Sequence, residues 1–69
     1  MSTTSTVTVE GMTCEHCVRA VRTEVETVPG VTDVDVDLES GRVDITSDGE
    51  LDRAAVRAAV EEAGYRLAG

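Results

Sequence analysis

Hydrophobic residues recur along this 69-residue chain with two periods, and the switches between them mark six elements. From Thr6 to Glu10, Val7 and Val9 point one way while Thr6, Thr8 and Glu10 point the other, the alternation of a half-buried strand. Val18, Val21, Val25 and Val28 then fall three and four apart, the apolar stripe of a helix that Pro29-Gly30 ends. Alternation returns at Val34, Val36 and Leu38, set against Asp33, Asp35, Asp37 and Glu39, and predicts a strand with one core face and one acidic wet face. Ser40-Gly41 is a turn, and Arg42 to Thr46, with Val43 and Ile45 inward, comes back as its hairpin partner.

Ser47 and Glu50 have the spacing of a capping box, with Asp48 as the alternative cap, for a second helix whose buried stripe is Val56, Ala59, Val60 and Ala63. That helix ends at Gly64, and Tyr65 and Leu67 begin a short last strand. The order β-α-β-β-α-β predicts an α+β, ferredoxin-like sandwich: a four-stranded antiparallel sheet with two helices on one face. Right-handed crossovers bring the loop before the first helix near the turn after the second, so Tyr65 is expected beside residues 14–17.

Residues 1–69 are expected to form one domain, with residues 1–4 frayed. A chain this short buries only about 60% of the surface its unfolded form exposes. Its core must be built from Val, Ala, Leu and Ile, since the chain has one Tyr and no Phe or Trp.

Composition narrows the function. Net charge is −8, from fourteen acidic residues against six basic ones, all arginine, which argues against nucleic-acid binding. The N-terminus has neither the basic nor the apolar region of a signal peptide, and no apolar run approaches membrane-spanning length, so a cytosolic protein without membrane insertion is expected. In that compartment a lone cysteine pair reads as a metal or redox site sooner than as a structural disulfide.

The pair is Cys14 and Cys17, in Gly11-Met12-Thr13-Cys14-Glu15-His16-Cys17, between a strand and the start of a helix. Two thiols at a helix N-terminus share one edge of the first turn, where unpaired N–H groups and the helix dipole favour the thiolate. Thiolates bind soft metals. Met12 reads as core packing beside the site sooner than as a direct metal ligand, and His16 as exposed or as a tuner of the thiols or bridge in a metal cluster. Tyr65 reads equally as core or as a cover for the site. The acidic run from Asp33 to Glu39 alternates with valine and lacks a loop glycine, so it is not an EF-hand.

Gly-Met-Thr-Cys-x-x-Cys at Gly11 to Cys17, Gly30-Val31, the strand Val34 to Leu38, Ala59-Val60 and Gly64-Tyr65 together resemble the heavy-metal-associated domains of copper chaperones and copper-transporting P-type ATPases. The resemblance implies a non-enzymatic domain that binds one Cu(I) through Cys14 and Cys17. It would pass the ion to the metal-binding domain of a P-type ATPase, or to a copper-responsive regulator. Met12 matches the family's buried loop anchor, and Tyr65 the aromatic of bacterial members, so the resemblance points to a bacterial-type copper chaperone, monomeric without metal, with a copper-bridged dimer as an alternative.

Three other readings stay open. One is a thiol-disulfide oxidoreductase with Cys14 as nucleophile and Cys17 as resolving thiol. Another is the same domain carrying Hg, Zn or Cd. The third is an excised domain of a larger ATPase or a regulatory module, against which the initiating Met and compact ends favour a standalone chaperone.

Overall fold

The computed structural model describes residues 2–68. It contains β1 (Ser2–Glu10), α1 (Glu15–Glu26), β2 (Val31–Asp37), β3 (Arg42–Asp48), α2 (Arg53–Glu62) and β4 (Arg66–Leu67), in the predicted order. The strands form one antiparallel sheet in the order β2-β3-β1-β4, and the helices pack on it with the ferredoxin-like arrangement.

Valines do most of the packing. Val7 and Val9 of β1, Val34 of β2 and Val43 and Ile45 of β3 meet Val21 and Val25 of α1 and Val56, Ala59 and Val60 of α2 in one buried cluster. Val28 joins it from the turn beyond α1, while Val18 is only half-buried and is not part of it. Each fully buried valine contributes roughly 1.5–3 kcal/mol relative to exposure. On the opposite sheet face Asp35 lies across from Asp44, with Arg42 3.7 Å from Asp44 and the Thr6 hydroxyl donating to Asp44 Oδ1 at 2.7 Å.

Four expectations need correction at the element ends. β1 starts at Ser2, not Thr6: Ser2, Thr3 and Thr4 of the stretch expected to fray pair with Asp48, Ser47 and Thr46, and Met1 lies outside the described residues. The backbone ladder offered by β3 organises this stretch although it has no apolar alternation of its own. Second, neither Ser47 nor Asp48 caps α2. Ser47 is buried at the inward position of β3, where its hydroxyl faces the carbonyls of Thr3 and Gly49. Asp52 is the cap, accepting from the N–H groups of Ala54 and Ala55 at 3.0 and 3.3 Å. Third, β2 ends at Asp37, leaving Leu38 in the turn. Fourth, Tyr65 precedes β4 instead of opening it.

The β2–β3 turn is tied to β1 by the Val9 N–H donating to Gly41 O at 2.8 Å. Gly41 has φ +75, and a Cβ there would lie 2.7 Å from Val9 O, so both backbone angle and space demand glycine. Among the described residues no helix is long and apolar enough to cross a membrane.

Candidate metal centre

β1 delivers the chain to one end of the sheet, and the loop 11–13 turns it into α1. Gly11 makes the turn at φ +100, and a Cβ on it would come within 3.1 Å of Tyr65 Cδ1. Glycine therefore lets the tyrosine ring lie against the loop. Met12 is half-buried and packs on the core cluster, anchoring the loop from below. From the other side Gly64 and Tyr65 leave α2, and Arg66 of β4 faces Glu10 of β1 with 4.0 Å between their charged groups. The predicted meeting of Tyr65 with the cysteine loop is what the fold produces.

Cys14 is the N-cap of α1, with extended backbone at φ −157 and ψ 173, and its sulfur caps no backbone N–H. Its carbonyl accepts from the N–H groups of Cys17 at 3.0 Å and Val18 at 3.3 Å, which places Cys17 one turn on along the same edge. The two sulfurs are 3.5 Å apart and unbonded, Cys14 exposed and Cys17 half-buried. Among the described residues no third His, Cys, Asp or Glu gathers with them.

Cys17 is lowered to about 6, first by a hydrogen bond from the Thr13 backbone, next by one from the Tyr65 side chain, then by one from Cys14, against a smaller opposing effect of burial. Each donor stabilises the thiolate over the thiol. The Tyr65 phenol is correspondingly raised, chiefly by the same bond to Cys17. The Thr13 hydroxyl adds a longer contact, 3.9 Å from Cys17 Sγ. His16 is exposed and is not among the groups acting on Cys17.

Sequence reasoning named Cys14, Cys17, Met12, His16 and Tyr65; the fold brings Cys14, Cys17 and Tyr65 together, seats Met12 on the core, and leaves His16 exposed. It missed Thr13 and Gly11. Their signal was present in the Gly-Met-Thr lead-in, but what matters at Thr13 is a backbone N–H, which side-chain chemistry does not reveal.

Two close sulfurs, one already largely ionised near neutral pH, form a donor set for a soft ion of low coordination number. A tetrahedral ion such as Zn(II) would need two more ligands.

Comparison with known proteins agrees with this chemistry. Residues 6–66 match the heavy-metal-associated domain. The chain is 46% identical over 66 residues to the copper chaperone CopZ of Bacillus subtilis (strain 168), covering 91% of this chain and 93% of that protein. It is 47% identical over 57 residues to part of copper-transporting ATPase 2 of Rhizobium meliloti (strain 1021), covering 83% of this chain and 7% of the ATPase. Its fold superimposes on the solved structure of a CopZ metallochaperone with a TM-score of 0.89 at 34% identity, over 96% of this chain and 100% of that one.

Proposed function

The chain belongs to the heavy-metal-associated domain family, and from that premise we propose that it is a cytosolic copper chaperone. Cys14 and Cys17 bind one Cu(I), which is delivered to a like-folded metal-binding domain of a copper-transporting P-type ATPase or to a copper-responsive regulator. The observation that carries this reading is the donor count: two sulfurs 3.5 Å apart at the surface, with no third ligand residue gathered among the described residues.

The geometry suits transfer. Cys17 enters largely as thiolate at neutral pH, and any thiol proton displaced as sulfur bonds to the ion passes to solvent. Two ligands leave the copper open on its solvent side, so an incoming thiolate adds as a third donor before one of the original Cu–S bonds breaks. The Tyr65 and Thr13 donors stabilise the anionic Cys17 sulfur, and they remain to receive it as the ion departs. No redox change or covalent conversion of the cargo is required, so the protein acts as a carrier and not as an enzyme. Similarity to both a copper chaperone and part of a copper-transporting ATPase supports a partner that shares the fold.

The test is anaerobic competition between Cu(I) and Zn(II) for the reduced protein in the presence of a chromophoric chelator. One Cu(I) per monomer, held in preference to Zn(II) and lost in Cys14→Ser and Cys17→Ser, is the expected result. Unchanged Cu(I) binding in both variants would refute it.

The sulfur separation and the depressed Cys17 thiol also favour a second reading, thiol-disulfide exchange. Insulin reduction separates the two, since a carrier is nearly inert in that assay.

A further inference from the structure

One edge of the sheet is only partly covered. β4 pairs with β1 at Val9 and Glu10, and the Ala68 N–H donating to Thr8 O extends the contact by one residue. From Ser2 to Thr6, β1 therefore has β3 on one side and, among the described residues, no strand on the other. This stretch is all serine and threonine, with no charge to repel an incoming strand and no proline to block it.

A groove of about 540 Å³ opens at the Thr6 end of this edge, bounded by Thr6, Val7 and Leu67 on the sheet side and by Arg53, Arg57 and Glu61 on α2. α2 runs in the same direction as β1: it begins soon after Asp48, which pairs with Ser2, and ends just before Tyr65, beside the far end of β1. The three charges stand one helical turn apart, so the ladder plus, plus, minus repeats at roughly 6 Å. Side chains on one face of a strand repeat at roughly 6.6 Å, nearly the same step.

The arginines are poorly placed for the free protein. Arg53 is the first residue of α2, at the positive end of the helix dipole, and Arg57 lies four residues on with the same charge. Asp52 engages backbone N–H groups, and among the described residues neither guanidinium has an ion-pair partner, although the chain carries a net charge of −8. A pair of carboxylates in the groove would relieve both positions.

We propose that this edge docks an extended segment of a partner protein as a fifth strand. The segment carries carboxylates at two successive inward positions, facing Arg53 and Arg57, and a lysine or arginine at the next, facing Glu61. Backbone hydrogen bonds to Ser2–Thr6 supply affinity and the charge ladder supplies specificity, the division of labour of strand addition. Neither Cys14 nor Cys17 lines the groove, so a partner held here leaves the metal centre uncovered.

The test uses the reduced, metal-free full chain, labelled with 15N, and the synthetic peptide acetyl-Val-Asp-Val-Asp-Val-Lys-Val-amide. Saturable shifts of the Ser2–Thr6 amides and of residues 53–61 are expected. Affinity should fall about tenfold or more with the exposed double substitution R53E/R57E, and equally with a peptide whose aspartates are asparagines. Glu61→Arg should reverse the preference between this peptide and one with a third aspartate in place of the lysine, an outcome that loss of folding cannot mimic. Absence of saturable shifts, shifts confined to the cysteine loop, or binding indifferent to both arginines would overturn the proposal. So would edge amides that shift on dilution of the protein alone, which would assign the edge to a second copy of the chain.

Discussion

Removing one oxygen atom from Tyr65 should move the acidity of a thiol that its ring does not otherwise control. In Tyr65→Phe the ring keeps its seat against Gly11, but Cys17 loses the second-largest of the influences that bring it from 9.0 to about 6. At pH 7 a thiol of that acidity is about nine-tenths thiolate, against about one part in a hundred for an ordinary value near 9. The Thr13 backbone donor, the largest influence, survives the substitution, so the variant should titrate between these limits and lose much, but not all, of its thiolate at neutral pH. Ultraviolet thiolate absorbance against pH reads the midpoint directly, with Cys14→Ser in both the parent and the variant so that one sulfur is isolated and the lost Cys14 contact is common to both. A midpoint unchanged from the parent would show that the phenol does not donate to Cys17. A midpoint returned to the ordinary value would show that Thr13 contributes nothing.

Other consequences follow from the same structure. Because the folded-state acidity of Cys17 lies below that of the unfolded chain, its contribution to stability is fully present above about pH 9 and is lost as pH falls through about 6. Denaturant midpoints of the reduced, metal-free protein should therefore carry a component that rises with pH across that window, absent in Cys17→Ser. Gly41→Ala and Gly49→Ala both place a side chain at positive φ, but only the first meets an obstacle, Val9 O at 2.7 Å. Backbone strain of roughly 1–2 kcal/mol is expected for both, and about 1 kcal/mol more at position 41 for the disturbed Val9–Gly41 hydrogen bond. Equal losses in urea melts would count against that reading of the turn. Asp52→Ala should cost about 1 kcal/mol by uncapping α2, while Glu50→Ala should cost close to nothing if Asp52 alone is the cap.

The parts of the fold that could be read from the residues are those where valine repeats with a clean period. Val21 and Val25 on one helix, Val56, Ala59 and Val60 on the other, and Val7, Val9, Val34, Val43 and Ile45 on the strands all lie in the core as their spacing requires. The misreadings occur where local and long-range signals compete. Ser47-x-x-Glu50 has the form of a capping box, yet Ser47 continues the inward series Val43, Ile45, Ser47 and is claimed by the strand. Asp52, immediately ahead of the helical stripe, then becomes the cap. Ser2 to Thr4 carry no apolar pattern, and only the length of β3 opposite them reveals their pairing. At the candidate site the two cysteines and the approach of Tyr65 were legible from spacing and topology. The lowered pKa of Cys17 was not, because it arises from the Thr13 backbone N–H and from a phenol forty-eight residues further along the chain, beyond what residue types at fixed spacing can encode.

A transferable ion held by two sulfurs is the centre of the account, and X-ray absorption at the copper edge of the loaded protein tests it most directly. The account predicts a Cu(I) edge and a first shell of sulfur alone, two atoms per copper, or three only where an added thiol or a second molecule supplies the third. A first shell containing nitrogen or oxygen from this chain, or four firm donors, would contradict it.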